Sequence, residues 1–233
     1  VNVLFFDLYN TLARFWPPRE ELQEEACRAF GVEVTPEGVA RGDAVADAFM
    51  ACENAGSNPI PSRSAKDQQQ FFVAYQKLIL EEAGVFAEDE LVAKVWNKVQ
   101  ELPYGMVLFD DVLPALEQLR NLGLTLGLIS NLDRDGKDLI QHLGMSLHID
   151  LAVTSREVGF GKPHPAIFRE ALNRARALPE QAAHIGDQYQ SDVKGALGVG
   201  IHPVLMDRFG TLDHPAGIIL VRDMTEVVEL LGL

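Results

Sequence analysis

Val3-Leu4-Phe5-Phe6-Asp7-Leu8-Tyr9-Asn10-Thr11-Leu12 opens the chain with four apolar residues and a carboxylate. An unbroken β-branched and aromatic run implies a strand covered on both faces, as in the middle of a parallel sheet. Asp7 then stands where that strand meets its first turn, and open α/β sheets bind their ligands outside the carboxyl ends of the strands. Thr11 follows four residues later, close enough for a tight turn to return its hydroxyl to the same place. Asn10 suits a positive-φ position in that turn, which β-branched residues avoid.

Three later segments stand at boundaries of the same kind: Ser130-Asn131 after Leu126 to Ile129, Lys162-Pro163 in a glycine-rich loop, and Gly186-Asp187 with Asp192 after Ala182 to Ile185. Taken singly, each has a plain structural reading. Asp7 can cap its own turn. Ser130-Asn131 can cap the following helix in competition with Asp133, although free N–H groups at a helix start also bind anions. Lys162 can be a solvated surface lysine. The segment Gly159-Phe160-Gly161-Lys162-Pro163 is not a phosphate-binding P-loop, because an earlier glycine is missing and Pro163 replaces the metal-holding hydroxyl; it also lacks the third glycine of a dinucleotide fingerprint. What remains is a lysine on a rigid loop that offsets the charge of a nucleophile and a bound anion. Asp7, Asp187 and Asp192 together make an all-oxygen, strongly negative set that is costly without a cation, and Mg²⁺ prefers such hard ligands.

The rest of the chain arranges itself around these boundaries. From about Pro18 to Gln100 the apolar spacing is helical, with helices expected over Glu20 to Phe30, Thr35 to Ala55, Ala65 to Ala83 and Glu88 to Gln100, and a loop over Ser57 to Ser64. Beyond Leu102 helices alternate with short apolar runs: helices near Asp111 to Asn121, Asp135 to Leu143, Pro165 to Ala177, Ser191 to Gly198 and Thr225 to Leu231, and strands at Leu124 to Ile129, Ile149 to Val153, Ala182 to Ile185, Ile201 to Met206 and Ile218 to Val221. This predicts an α/β fold, a Rossmann-like doubly wound parallel sheet formed by residues 1–15 and 102–233, with an all-helical cap of residues 16–101 inserted after the first strand. Trp16, Phe49, Phe71, Phe72, Tyr75 and Trp96 are expected in the cap core. Arg14, Phe15, Trp16, Arg19 and Arg41 are candidates for contact with substrate, with no choice among them.

With 233 residues, 47% of them hydrophobic, the chain can bury one sizeable core and a second small one. A formal net charge of −14 repels nucleic acid and anionic membranes, so neither is an expected partner; a small-molecule substrate is. Cys27 and Cys52 are spaced neither as a metal clip nor as a redox pair. No run approaches the length of a membrane span, and the amino terminus enters a strand without a signal-peptide pattern, so a cytoplasmic location is expected. An apolar stripe on a cap helix leaves pairing into a homo-oligomer open.

The set Asp7-Leu8-Tyr9-Asn10-Thr11-Leu12, Ser130-Asn131, Lys162-Pro163 and Gly186-Asp187 through Asp192, in this order and with a helical insert after the first strand, resembles the haloacid dehalogenase superfamily of aspartate-nucleophile hydrolases. The resemblance covers essentially the whole chain. It implies that Asp7 attacks the substrate and forms a covalent intermediate, that Thr11 and Ser130 hold the transferred group with Asn131 beside them, and that Lys162 steadies the negative charge. It further implies Mg²⁺ bound by Asp7, Asp187, the backbone carbonyl of Tyr9, and Asp192 directly or through water. Two features pull apart. Most phosphatases of the superfamily carry a second aspartate two residues after the nucleophile, and this chain has Tyr9, whose phenol (ordinary pKa ~10) is a poor two-way proton carrier at neutral pH. Tyrosine there, with Ser130-Asn131, resembles the metal-independent 2-haloacid dehalogenases of the superfamily, yet those lack the Gly186-Asp187 pattern and carry a tyrosine where this chain has Phe168. The expected activity is a Mg²⁺-dependent phosphohydrolase acting on a small phosphorylated metabolite with a good leaving group; the alternatives are a 2-haloacid dehalogenase and a non-catalytic binding or regulatory protein.

Overall fold

The computed structural model describes residues 1–210, 212 and 216–232. In chain order the elements are β1 (Val3–Phe6), β2 (Ala13–Trp16), α1 (Arg19–Arg28), α2 (Pro36–Ala55), α3 (Ala65–Glu82), α4 (Asp89–Glu101), β3 (Gly105–Leu108), α5 (Val112–Asn121), β4 (Thr125–Ser130), α6 (Gly136–His142), β5 (Leu151–Thr154), α7 (Ser155–Val158), α8 (Pro165–Ala175), β6 (Ala182–Gly186), α9 (Lys194–Leu197), β7 (His202–Met206), β8 (Ile219–Val221) and α10 (Met224–Glu229). The chain divides into two units, Val1–Arg14 with Val107–Leu233, and Phe15–Met106.

The first unit holds a six-stranded sheet in the order β5-β4-β1-β6-β7-β8, parallel throughout. This is the Rossmann-like α/β arrangement expected. β1 lies between β4 and β6, with Phe6 opposite Leu128 on one side and Ile185 on the other. After β1 the chain builds β4 and β5 in one direction and then β6, β7 and β8 in the other, so the carboxyl end of β1 is the topological switch point where a crevice forms. Asp7 is the next residue.

Side-chain alternation explains why β1 sits there. Val3 and Phe5 pack against Ile167, Phe168, Ala171 and Leu172 of α8 and Ala196 of α9. Leu4 and Phe6 point to the opposite face by the two-residue period and are also buried. Each fully buried phenylalanine contributes about 1.5–3 kcal/mol relative to exposure. α8 starts with Pro165 at its first turn and the His164 ring nitrogen accepting from the Ala166 N–H, and it stops at Arg176, whose φ of 52° is left-handed.

Helices α1 to α4 make the second unit. Leu22, Ala26 and Cys27 of α1 meet Leu80 of α3 and Val92 and Val95 of α4. Val39 and Ala46 of α2 meet Ile60 and Phe71, Tyr75 and Ile79 of α3. The backbones of α2 and α3 come close because residue 42 is glycine: a Cβ there would stand 2.6 Å from the Ile79 Cα. Phe72 stacks on Trp96 at 4.9 Å between ring centres, and Phe49 on Phe71 at 5.2 Å. The stretch expected as loop contains a 3₁₀ turn, Ile60–Ser62, tied by the Ile60 N–H to the Asn54 side-chain oxygen Oδ1 and by the Arg63 side chain to Glu53. Among the described residues no helix is long and apolar enough to cross a membrane.

Two expectations need correction. β2 and β3 pair into a separate two-stranded sheet that the sequence pattern did not announce. In β2, Arg14 and Trp16 share the exposed face, so Trp16, 57% exposed, is no part of the cap core. The helix expected from Ser191 begins instead as a π turn, Tyr189–Val193, before α9.

The second unit also buries charge. Arg19 reaches Asp43 at 2.8 Å and donates to the Tyr75 hydroxyl at 2.9 Å, and that hydroxyl donates to Asp47 at 2.5 Å. Burial pushes the Asp43 carboxyl up to about 7; Arg19 opposes the shift and Asp47 and Glu20 add to it. A carboxyl whose folded-state pKa lies above its unfolded one favours folding when protonated, so its contribution falls as pH rises from about 4 through 7. Asn mimics the protonated form. The Asp43→Asn variant is therefore expected to melt several degrees above the parent at pH 8.5, an effect of at most about 4 kcal/mol, with the gap closing near pH 4. Melting curves at both pH values check this; a variant less stable at pH 8.5 refutes it.

Candidate active site

Asp7 is fixed by its backbone. Its N–H donates to the Ile185 carbonyl at 2.8 Å, which carries the β1–β6 ladder one residue past the strand. The chain then turns tightly, with the N–H groups of Leu12 and Ala13 both donating to the Leu8 carbonyl at 2.9 and 2.8 Å. Asn10 has φ of 56°, the positive value expected for it. Thr11, in the same turn, is fully buried, and its hydroxyl has no hydrogen-bond partner among the described residues. A buried hydroxyl in that state is costly unless something else engages it.

Lys162 comes to Asp7 from a loop 155 residues away. Asn131, the residue after β4, places the loop: its amide donates to the Lys162 carbonyl at 2.9 Å and its oxygen accepts from the Lys162 N–H at 2.6 Å, so one side chain pairs with both backbone groups. The Lys162 ammonium then lies 2.5 Å from Asp7 Oδ1 and 2.6 Å from Asp192 Oδ1. Neither Asn131 nor Ser130 caps the next helix. Asp135 does so, accepting from the N–H groups of Lys137 and Asp138, and Ser130 is buried at the end of β4.

Asp192 arrives by way of the π turn. Its own N–H donates to the Gln188 carbonyl at 2.8 Å, while its Oδ2 accepts from the Gln188 N–H at 3.0 Å. The carboxylate folds back over residue 186, where any Cβ would stand 2.2 Å from Asp192 Cγ, so only glycine fits there. π bulges often accompany functional sites for this reason: the extra residue re-aims a side chain.

The charges are strongly coupled. Burial raises the Asp7 carboxyl to about 6, with Asp192 adding to the shift and Lys162 opposing it. Burial would raise Asp192 too, but the Lys162 charge and the His184 hydrogen bond hold it well below the usual carboxylate range. Burial alone would lower Lys162; Asp192 and Asp7 override it and keep the ammonium above the usual lysine range. Lys162 is therefore a permanent cation between two carboxylates of unequal basicity. Asp7, Asp187 and Asp192 each present an oxygen within 4.8 Å of the others. Three hard oxygen donors at that spacing, carrying more negative charge than one lysine offsets, fit Mg²⁺ chemically.

The structure thus brings Asp7, Lys162, Asp187 and Asp192 together, and sets Thr11 and Tyr9 in the turn beside Asp7; Tyr9 is half-buried and forms a lone bridge with Ala13. Among the arginines held as substrate candidates, Arg19 is engaged with Asp43, and Arg41 donates to the Glu82 carbonyl at 3.3 Å.

Two neighbours escaped the sequence reading. His184, buried on β6, is 2.8 Å from Asp192. Arg208 stacks 4.0 Å from the Phe109 ring, donates to the Thr11 carbonyl at 2.8 Å and pairs with Asp111. A polar residue inside the apolar run Ala182 to Ile185 was the available signal for His184. Arg208 gave none, since its partners lie 97 and 197 residues away.

The model of the haloacid dehalogenase-like hydrolase family matches residues 1–200. Haloacid dehalogenase-like hydrolase domain-containing protein 3 of Bos taurus is 32% identical over 209 residues, 88% of this chain and 82% of that protein. The phosphoserine phosphatase of Thermus thermophilus is 36% identical over 132 residues, 55% of this chain and 51% of its own. Among solved structures, the magnesium-bound HAD-hydrolase YfnB of Bacillus subtilis has a TM-score of 0.70 across 100% of this chain and 99% of its own, at 18% identity, which is a likeness of fold.

Proposed function

The chain belongs to the haloacid dehalogenase-like hydrolases, and on that premise we propose that it is a Mg²⁺-dependent phosphohydrolase using Asp7 as nucleophile on a small metabolite whose leaving group is stable as an anion. The observation that carries this is the cluster of Asp7, Asp187 and Asp192 at the switch point of the sheet, with Asp7 and Asp192 paired to one buried lysine. Similarity to a phosphatase supports the choice of phosphorus over carbon as the atom attacked.

An Asp7 carboxylate oxygen bonds to phosphorus as the bond from phosphorus to the leaving oxygen breaks, which gives an aspartyl phosphate and a free anion. Water then attacks phosphorus, returning Asp7 as carboxylate and releasing phosphate. The Lys162 ammonium keeps Asp7 ionised in a site whose burial favours the neutral acid, and it offsets the charge gathering on the phosphoryl oxygens. The Thr11 hydroxyl, without a partner among the described residues, and Ser130 are the proposed hydrogen-bond donors to those oxygens. Bound Mg²⁺, held by Asp7, Asp187, the Tyr9 carbonyl and Asp192, would supply the remaining neutralisation between nucleophile and phosphate.

Tyr9 sets the substrate class. Without a carboxylic acid two residues after Asp7, an alkoxide leaves poorly, whereas a carboxylate or a phosphate leaves without a proton. Acetyl phosphate is expected to turn over at least about 10²-fold faster than a simple alkyl phosphate, and Tyr9→Asp is expected to raise alkyl-phosphate hydrolysis by about 10²-fold. Assays with Mg²⁺ and with chelator measure both, and beryllium fluoride with Mg²⁺ should leave an adduct on Asp7. Equal rates on the acyl phosphate and the alkyl ester would remove the leaving-group assignment. Tyr9 also favours a second reading, attack of Asp7 on a halogen-bearing carbon; chloride release from 2-chloropropionate in chelator, lost in Asp7→Asn, would establish that chemistry instead.

A further inference from the structure

Among the described residues Asp192 accepts three hydrogen bonds, one of them from the lysine. Oδ1 faces Lys162 Nζ at 2.6 Å and His184 Nε2 at 2.8 Å; Oδ2 takes the Gln188 N–H at 3.0 Å. A carboxylate so engaged has both oxygens fixed, so its orientation defines where the ammonium lies. Lysine needs such a guide, since its four-carbon stem is flexible and its head is a point charge with no preferred plane.

We propose that His184 is a positioning residue for the Asp7 chemistry: by donating from Nε2 to Asp192 Oδ1 it holds Asp192 in the orientation that delivers the Lys162 ammonium to Asp7. This rests on the phosphohydrolase reading and deepens it. The carboxylate is acceptor-only, so the proton must be on Nε2. Nδ1 is buried without a hydrogen-bond partner among the described residues, and the ring meets Phe168 edge-on at 5.3 Å, so no other polar contact competes for the imidazole. β6 fixes the backbone on either side, with Ala183 and Ile185 paired to Leu4 and Phe6 of β1. The ring therefore has one polar duty, and it is directed at the site.

An imidazole kept only for packing would be replaceable by leucine at no cost to the chemistry, which separates the two roles. His184→Leu removes the donor; His184→Gln keeps an N–H near the Nε2 position. With acetyl phosphate and Mg²⁺, His184→Leu is expected to lose about 10- to 100-fold in kcat with KM within about twofold, because substrate still binds but the charge beside the nucleophile is misplaced. His184→Gln is expected to regain most of that loss. Folded His184→Leu with unchanged kcat, a loss confined to KM, or no rescue by Gln would overturn the assignment. Nitrogen-15 spectra of the parent protein labelled at histidine give a check that needs no variant: a neutral Nε2–H ring at His184 supports it, and an Nδ1–H ring overturns it. Parent protein that neither hydrolyses acetyl phosphate with Mg²⁺ nor traps beryllium fluoride would fail the phosphohydrolase reading itself, and this role with it.

Discussion

Asp7→Asn is expected to lower kcat on acetyl phosphate by at least about 10⁴-fold, since the amide cannot form the aspartyl intermediate and removing a nucleophile leaves only binding and electrostatic stabilisation. The same change is not expected to weaken the fold. Burial raises the Asp7 carboxyl to about 6, so the ionised form opposes folding once the pH exceeds the unfolded value near 4, and fully so above 6. Asparagine removes that opposition and leaves Lys162 paired with Asp192. At pH 8 in chelator the variant should melt at or above the parent, and the advantage should vanish near pH 4. Inactivity together with a higher melting point is the combination that marks a group placed for chemistry at the expense of stability; a large drop in melting point would contradict it.

Lys162→Met is expected to damage both properties. Removing one partner of a buried ion pair costs about 3–5 kcal/mol, because the remaining charges stay desolvated. Here two carboxylates lose the same cation. Asp192, held low in the parent, contributes stability above its unfolded pKa that disappears as pH falls, so the deficit of the variant should be greatest above pH 6 and should shrink on acidification as the orphaned acids protonate. Turnover should fall by about 10²- to 10³-fold, the usual loss when one preorganised charge-stabilising group is removed. Melting curves from pH 4 to 8 with parallel kinetics would expose a deficit independent of pH, which would rule out the charge account.

Much of this was legible from residue type and order. Val3 to Phe6 read as a doubly covered strand, and the carboxylate after it stood where open α/β sheets bind their ligands. Asn10 announced its positive φ by being the one residue of its turn suited to it. The longer helices of both units follow the apolar spacing, because burial of one face is what makes a short helix stable, whereas the one-turn α7 was not expected. β2 and β3 were hidden because a two-stranded ribbon with one face exposed has no apolar alternation strong enough to read, and Trp16 misled by being large and aromatic. His184 and Arg208 were hidden for another reason: their meaning lies in partners that only the fold brings near, Asp192 across a π turn and Thr11 at the far end of the chain.

Asn131 grips both the amide and the carbonyl of Lys162. The backbone of Lys162 is consequently measured from the tip of β4, and the Gly159 to Gly161 segment serves as a tether rather than a ruler. Sequence drift along that tether is tolerable so long as the grip survives, whereas an apolar residue at 131 would release the lysine even with every acidic group intact.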